Sequence, residues 1–149
     1  MAYLEAKANE SLVMSNDVHT EIRSPIDIVA SRQQGRTLAL ELGFSGTSAT
    51  LIAAAISEIA RNIIDHAKKG VITMRGVNGR SNGGVQGIRI IARDKGPGIP
   101  DVARAMQYGY STRKSLGVGL PGAKLLMDEF DIVSQVGKGT TVIMIKWLR

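Results

Sequence analysis

The chain has 149 residues, a formal charge of +6 from 19 Lys and Arg against 13 Asp and Glu, two His and no Cys. That length suits one domain with a sizeable core. Disulfide and thiolate chemistry are excluded, two histidines are too few for a histidine-rich metal site, and no apolar run approaches the roughly 20 residues that span a bilayer. The first residues carry Glu5, Glu10 and Asp17 where a signal peptide needs a basic flank and a long apolar core, so a cytoplasmic protein without membrane contact is expected. Positive charge favours an anionic partner, such as a nucleotide or an acidic protein surface. With few aromatic residues to stack on bases, nucleic-acid binding is not expected.

In chain order, residues 1–16 read as a flexible leader or partner-binding arm. "DVHTEIR" alternates as a first strand, with Val18, Thr20 and Ile22 on one side. Ser24, Pro25 and Asp27 form a helix start, with a capping hydroxyl, a proline at the first position and an early acid. That helix is predicted to reach about Leu42, with Ile26, Val29, Ala30, Leu38 and Leu42 as its apolar stripe, and to end at Gly43. A second helix starts near Gly46 to Ser48 and closes at Lys68, Lys69 and Gly70. It carries Glu58, Asn62 and His66 at four-residue intervals, which stacks them in a polar stripe beside Ile56, Ile59, Ala60 and Ile63.

"VITMRGV" and "VQGIRIIARD" read as strands around the hairpin loop "NGRSNGG". After a glycine-rich middle with a short helix, "GLPGAKLLMDEF" reads as a helix that packs through Leu120, Leu125, Leu126 and Met127. "DIVSQVG" and "TTVIMIKWL" then make a hairpin across "GKG". Helices on one side of a mixed sheet bury its apolar face, so the expected class is an α+β two-layer sandwich.

Two segments carry chemistry besides the polar stripe. In "IIARDKGPGIP", an apolar strand ends at Asp94, and Gly96 and Gly98 follow. A carboxylate there can accept a hydrogen bond from a ligand amine such as an adenine N6, while the glycines let backbone approach a ring. The same pattern also suits a carboxylate that caps its own turn. In "GYSTRKSLGVGLPG", glycines surround Arg113 and Lys114, and a helix begins near Gly119. Such a segment can offer backbone N–H groups and a helix N-terminus to phosphates, with added charge from the two cations. Its spacing is not that of a P-loop, and it lacks the strand–glycine–helix context of a dinucleotide site.

Taken in order, these segments resemble the boxes of the GHKL ATP-binding superfamily, the group that includes gyrase, histidine kinases and MutL. Glu58–Asn62–His66 resembles its N box, Asp94–Gly96–Gly98 its first glycine box, Gly117–Gly119–Leu120 its second, and Gly139–Thr140 the last. The phrases "DIVASRQQGRTLALELGF", "AISEIARNI", "DKGPGIPDV" and "LGVGLPGAKLLMDEF" and the ending "KWLR" are similar to the RsbT-type serine/threonine switch kinases of the bacterial stressosome, within the anti-sigma-factor kinases.

The resemblance implies a Bergerat-type ATP-binding fold over residues 17–149. It implies ATP and Mg²⁺ as ligands, with Asn62 on the metal and Glu58 as general base. Asp94 would read adenine beside Gly96 and Gly98, Gly117, Gly119 and Leu120 would form the phosphate segment, and Thr140 would lie at the adenine side. His66, Arg113 and Lys114 are candidates for phosphate contacts. The implied partners are STAS-domain antagonist and scaffold proteins, then a PP2C-type phosphatase or other output module once the kinase is released. An anti-sigma factor that binds a sigma factor and phosphorylates an anti-anti-sigma factor, and a non-catalytic ATP-dependent binding module, are the alternatives.

Overall fold

Alternating apolar residues in the central strands bury one face of a six-stranded sheet, seen in a computed structural model that describes residues 12–13, 17–79, 83–107 and 119–149. The elements are β1 (Leu12–Val13), β2 (Val18–Ile22), α1 (Pro25–Glu41), α2 (Gly46–Ala67), β3 (Gly70–Asn78), β4 (Gln86–Asp94), α3 (Val102–Ala105), α4 (Gly119–Leu126), β5 (Glu129–Gln135) and β6 (Gly139–Trp147). The sheet order is β1–β3–β4–β6–β5, and β2 also pairs with β3. Part of the expected leader therefore belongs to the sheet, with Leu12 opposite Asn78 and Val13 opposite Val77.

The expected α+β sandwich with helices on one face is present, and its mixed character narrows to strand order. Every pairing among the described residues is antiparallel. The reason is the connection from β2 to β3. α1 and α2 run out and back as a pair, so the chain returns at Gly70 beside Ile22, the residue where it left. Two hairpins then supply β3–β4 and β5–β6.

The core lies between sheet and helices. Ile22, Ile72, Met74, Ile88, Ile90, Ala92, Val142 and Met144 face Ile52, Ile56, Ile59 and Ile63 of α2, all buried. Burying each of these large side chains contributes on the order of 1.5–3 kcal/mol. α2 packs on both α1 and α4 and so forms the spine of the helical layer. Among the described residues, no helix is long and apolar enough to cross a membrane.

Several expected details differ. α1 buries Ser31, Gly35, Leu38 and Ala39, while Ile26 and Val29 of the expected stripe are 72% and 55% exposed. The small residues decide this: a Cβ at Gly35 would overlap Ile56 Cδ1, so the bare backbone lets α1 close on α2. At the N-terminus of α1, the Asp27 carboxylate accepts the N–H groups of Arg23 at 2.8 Å and Ser24 at 3.1 Å.

α2 ends at Lys68, which takes φ 73°, while the expected terminator Gly70 is already in β3. The third predicted helix stops at Leu126, and Glu129 and Phe130 belong to β5. Asp128 forces the change, because its N–H donates to Ile145 O and its carboxylate accepts the Trp147 N–H, both bonds of the sheet edge. Leu125, expected to pack, is 75% exposed.

Candidate functional site

The site gathers at the C-terminal half of α2, the end of β4 and the start of α4. α2 is started by Ser45, whose hydroxyl accepts the Ser48 N–H at 3.1 Å, and its buried isoleucines fix the helix roll on the sheet. That roll leaves Glu58 and Asn62 half-buried and His66 exposed. Glu58 Oε1 accepts a hydrogen bond from Arg61 Nη1 at 3.0 Å, and Oε2 accepts the backbone N–H of Gly119 at 2.9 Å. Glu58 and the start of α4 are thus joined directly across 61 residues of sequence. The Asn62 amide and the His66 ring have no hydrogen-bond partner among the described residues.

Asp94 ends β4 on the helix-facing side, in a cross-strand row with Gly70, Thr140 and Ser134. Its Oδ1 accepts the Gly96 N–H at 2.9 Å and the Thr140 N–H at 3.3 Å. Oδ2 has no partner among the described residues and is therefore the oxygen free to accept from a ligand amine. The glycines make the surroundings thin. A Cβ on Gly96 would stand 2.5 Å from Ala67 Cβ, so this loop rests on the last turn of α2. Gly98 (φ 80°) lies against the Gln135 carbonyl and Gly139 (φ 125°) against the Asp94 carbonyl, and neither position admits an L side chain.

Thr140 acts here through its backbone. Its side chain is 5% exposed, and its hydroxyl shares a 2.7 Å hydrogen bond with Ser134 Oγ. Leu120 is 5% exposed and belongs to the apolar core. Gly117, Arg113 and Lys114 lie outside the described residues. Sequence reasoning missed Ser134, whose hydroxyl also accepts the Ile99 N–H at 2.6 Å and so pins the loop after Gly98 to β5. The available signal was a lone hydroxyl two residues beyond Ile132, on the core-facing side of β5.

Among the described residues, no group of three His, Asp or Glu side chains could hold a metal. Mg²⁺ fits such a place only when substrate phosphates and water supply most of its ligands and a side-chain oxygen the rest. The unpartnered Asn62 amide matches that requirement.

Residues 47–149 match the family described as histidine kinase-, DNA gyrase B-, and HSP90-like ATPases. The chain belongs to this family. Within the family it is 49% identical to the serine/threonine-protein kinase RsbT of Bacillus subtilis over 136 residues, 91% of this chain and 100% of that protein. It is also 38% identical over 103 residues to an anti-sigma F factor of Caldanaerobacter subterraneus and 36% identical over 104 residues to one of Thermoanaerobacter sp.. Each of these alignments covers 65% of this chain and 68% of the relative. The chain is thus a GHKL-family protein close to the RsbT-type kinases.

Proposed function

We propose that this RsbT-like serine/threonine kinase seats ATP between α2 and the end of β4 and passes its γ-phosphoryl group to a Ser or Thr hydroxyl of a STAS-domain protein. The observation that carries this reading is Asp94, with Oδ1 held by two backbone N–H groups and Oδ2 open in a cradle of glycines. A fixed, half-open carboxylate selects a base with an exocyclic amine, and the missing Cβ atoms let the flanking loops close onto Ala67, Gln135 and the Asp94 backbone, which holds that carboxylate in place. Mg²⁺, held by Asn62 and the phosphates, would supply neutralising charge to the transferring group.

Glu58 has the place of the general base. The acceptor hydroxyl gives its proton to a Glu58 oxygen, and its own oxygen forms a bond to the γ-phosphorus. The bond from that phosphorus to the bridging oxygen breaks, and its electron pair leaves with ADP. A phosphate placed in the partner's contact surface adds about two negative charges near Glu58 and so repels the kinase. Release would then free the same surface for a PP2C-type phosphatase or another output module.

The test is calorimetric titration of ATP and Mg²⁺ into wild type, Asp94→Asn and Asn62→Ala, followed by phosphoryl transfer to a purified single-STAS-domain protein. ATP affinity is expected to fall at least tenfold in both variants, and transfer to be seen only with a Ser or Thr acceptor. Wild-type affinity in Asp94→Asn would refute the adenine assignment, and absence of transfer would refute the kinase reading. The similarity to anti-sigma F factors supports a second reading, a kinase that also binds a sigma factor. Stable co-elution with a purified sigma factor would favour it.

A further inference from the structure

Arg61 sits one turn beyond Glu58 and one residue before Asn62. Its guanidinium reaches back to Glu58, and the side chains are 35% and 11% exposed. At helical spacing it has a second choice, Asp65, four residues on and in the same groove of about 440 Å³ between α1 and α2. Among the described residues no ion pair joins Arg61 to Asp65, and the guanidinium goes to Glu58. An exposed i,i+3 pair stabilises a helix by only a few tenths of a kcal/mol. This one differs because the carboxylate is nearly covered and its other oxygen is held from a different helix, by the Gly119 N–H.

With each oxygen accepting one hydrogen bond, the Glu58 carboxylate is fixed in place, with lone-pair capacity left on both oxygens. The two partners are not equivalent, however. The Gly119 N–H opens α4, and an arriving phosphate competes for such an amide, whereas the guanidinium belongs to the same helix as Glu58 and moves with it. We propose that Arg61 is the positioning residue of the transfer. It keeps Oε1 bound throughout, so that Oε2, once the Gly119 amide turns to the nucleotide, is the one oxygen presented to the acceptor hydroxyl. The hydroxyl proton goes to Oε2, the acceptor oxygen bonds to the γ-phosphorus, and ADP leaves with the electrons of the broken bond. Arg61 has this role only if Glu58 is the base, as proposed above.

The experiment is single-turnover transfer from ATP to the same single-STAS-domain acceptor, with wild type, Arg61→Ala, Arg61→Lys, Glu58→Gln and the Glu58→Gln/Arg61→Ala pair. ATP affinity and thermal unfolding are measured beside each. Loss of orientation costs on the order of 10- to 100-fold in the chemical step. Arg61→Ala should lower kcat by that amount with KM for ATP within twofold of wild type, and Arg61→Lys, which keeps one donor for Oε1, should recover most of it. The double variant should be no slower than Glu58→Gln alone, since the two residues act as a unit. Wild-type kcat in Arg61→Ala, or a parallel loss of ATP affinity, would overturn the assignment while leaving Glu58 in place. Full transfer by Glu58→Gln would instead overturn the base itself, whatever Arg61→Ala does.

Discussion

Gly139 shows how little freedom the site leaves at a single residue. Its φ of 125° suits glycine alone, and a Cβ there would overlap the Asp94 carbonyl oxygen. Gly139→Ala should therefore cost about 2–3 kcal/mol and displace Asp94. Denaturant unfolding reads the first effect and ATP titration the second. Lys68 is the opposite case. It holds φ 73° and ψ −36° with an exposed side chain, a strained conformation that a glycine adopts without a Cβ clash. Lys68→Gly is expected to stabilise the protein by about 0.5–1 kcal/mol, seen as a higher denaturation midpoint at unchanged m-value. Glu58 and Asp94 were both readable from local pattern, a polar position repeated along a helix and an acid at the end of an apolar strand. Their distant partners were not, because the Gly119 and Thr140 amides lie 61 and 46 residues away.

At the level of elements, α1 carries the clearest lesson. Capping and proline placed its start correctly at Pro25, and its length was within a residue of Glu41. Its buried side was misjudged, because hydrophobicity pointed to Ile26 and Val29 while close packing selects Ser31 and Gly35. Gly35→Ala should cost about 1–3 kcal/mol by driving a methyl group into Ile56. Ile26→Ser should change stability by less than about 0.5 kcal/mol, since that side chain is 72% exposed. Thermal melts of the two variants side by side decide between the predicted stripe and the observed one. α2 had no such conflict. Ile56, Ile59 and Ile63 repeat at helical spacing beside its polar stripe, and the structure buries these isoleucines while leaving Glu58 and Asn62 half-buried.

Across the whole molecule, the sheet face opposite the helices carries buried Ile143 and Ile145, with Arg75 directly opposite Arg89. Asp17, just before β2, accepts a bidentate pair of hydrogen bonds from Arg75. That bonding holds its carboxyl below the ordinary aspartate value, against the smaller opposing effect of burial. A folded-state pKa below the unfolded one stabilises the protein wherever the unfolded aspartate is ionised, above about pH 4, and the stabilisation is lost as pH falls through the lower folded value. Wild type should therefore exceed Asp17→Asn in unfolding free energy at pH 6, and the difference should shrink steadily from pH 4 downward.

The sequence by itself determined the kinds of elements from β2 onward, their order and the residues offered as the candidate site. Helix caps, strand alternation and glycine spacing are short-range properties, written within a few residues of where they act. Tertiary structure alone decided which face α1 buries, that Thr140 serves Asp94 by its backbone, that Ser134 anchors the loop after Gly98, and that the Gly119 amide reaches Glu58. Each of these depends on strand register and on how closely two helices approach. Both are set by the packing of side chains far apart in the chain, which no local pattern records.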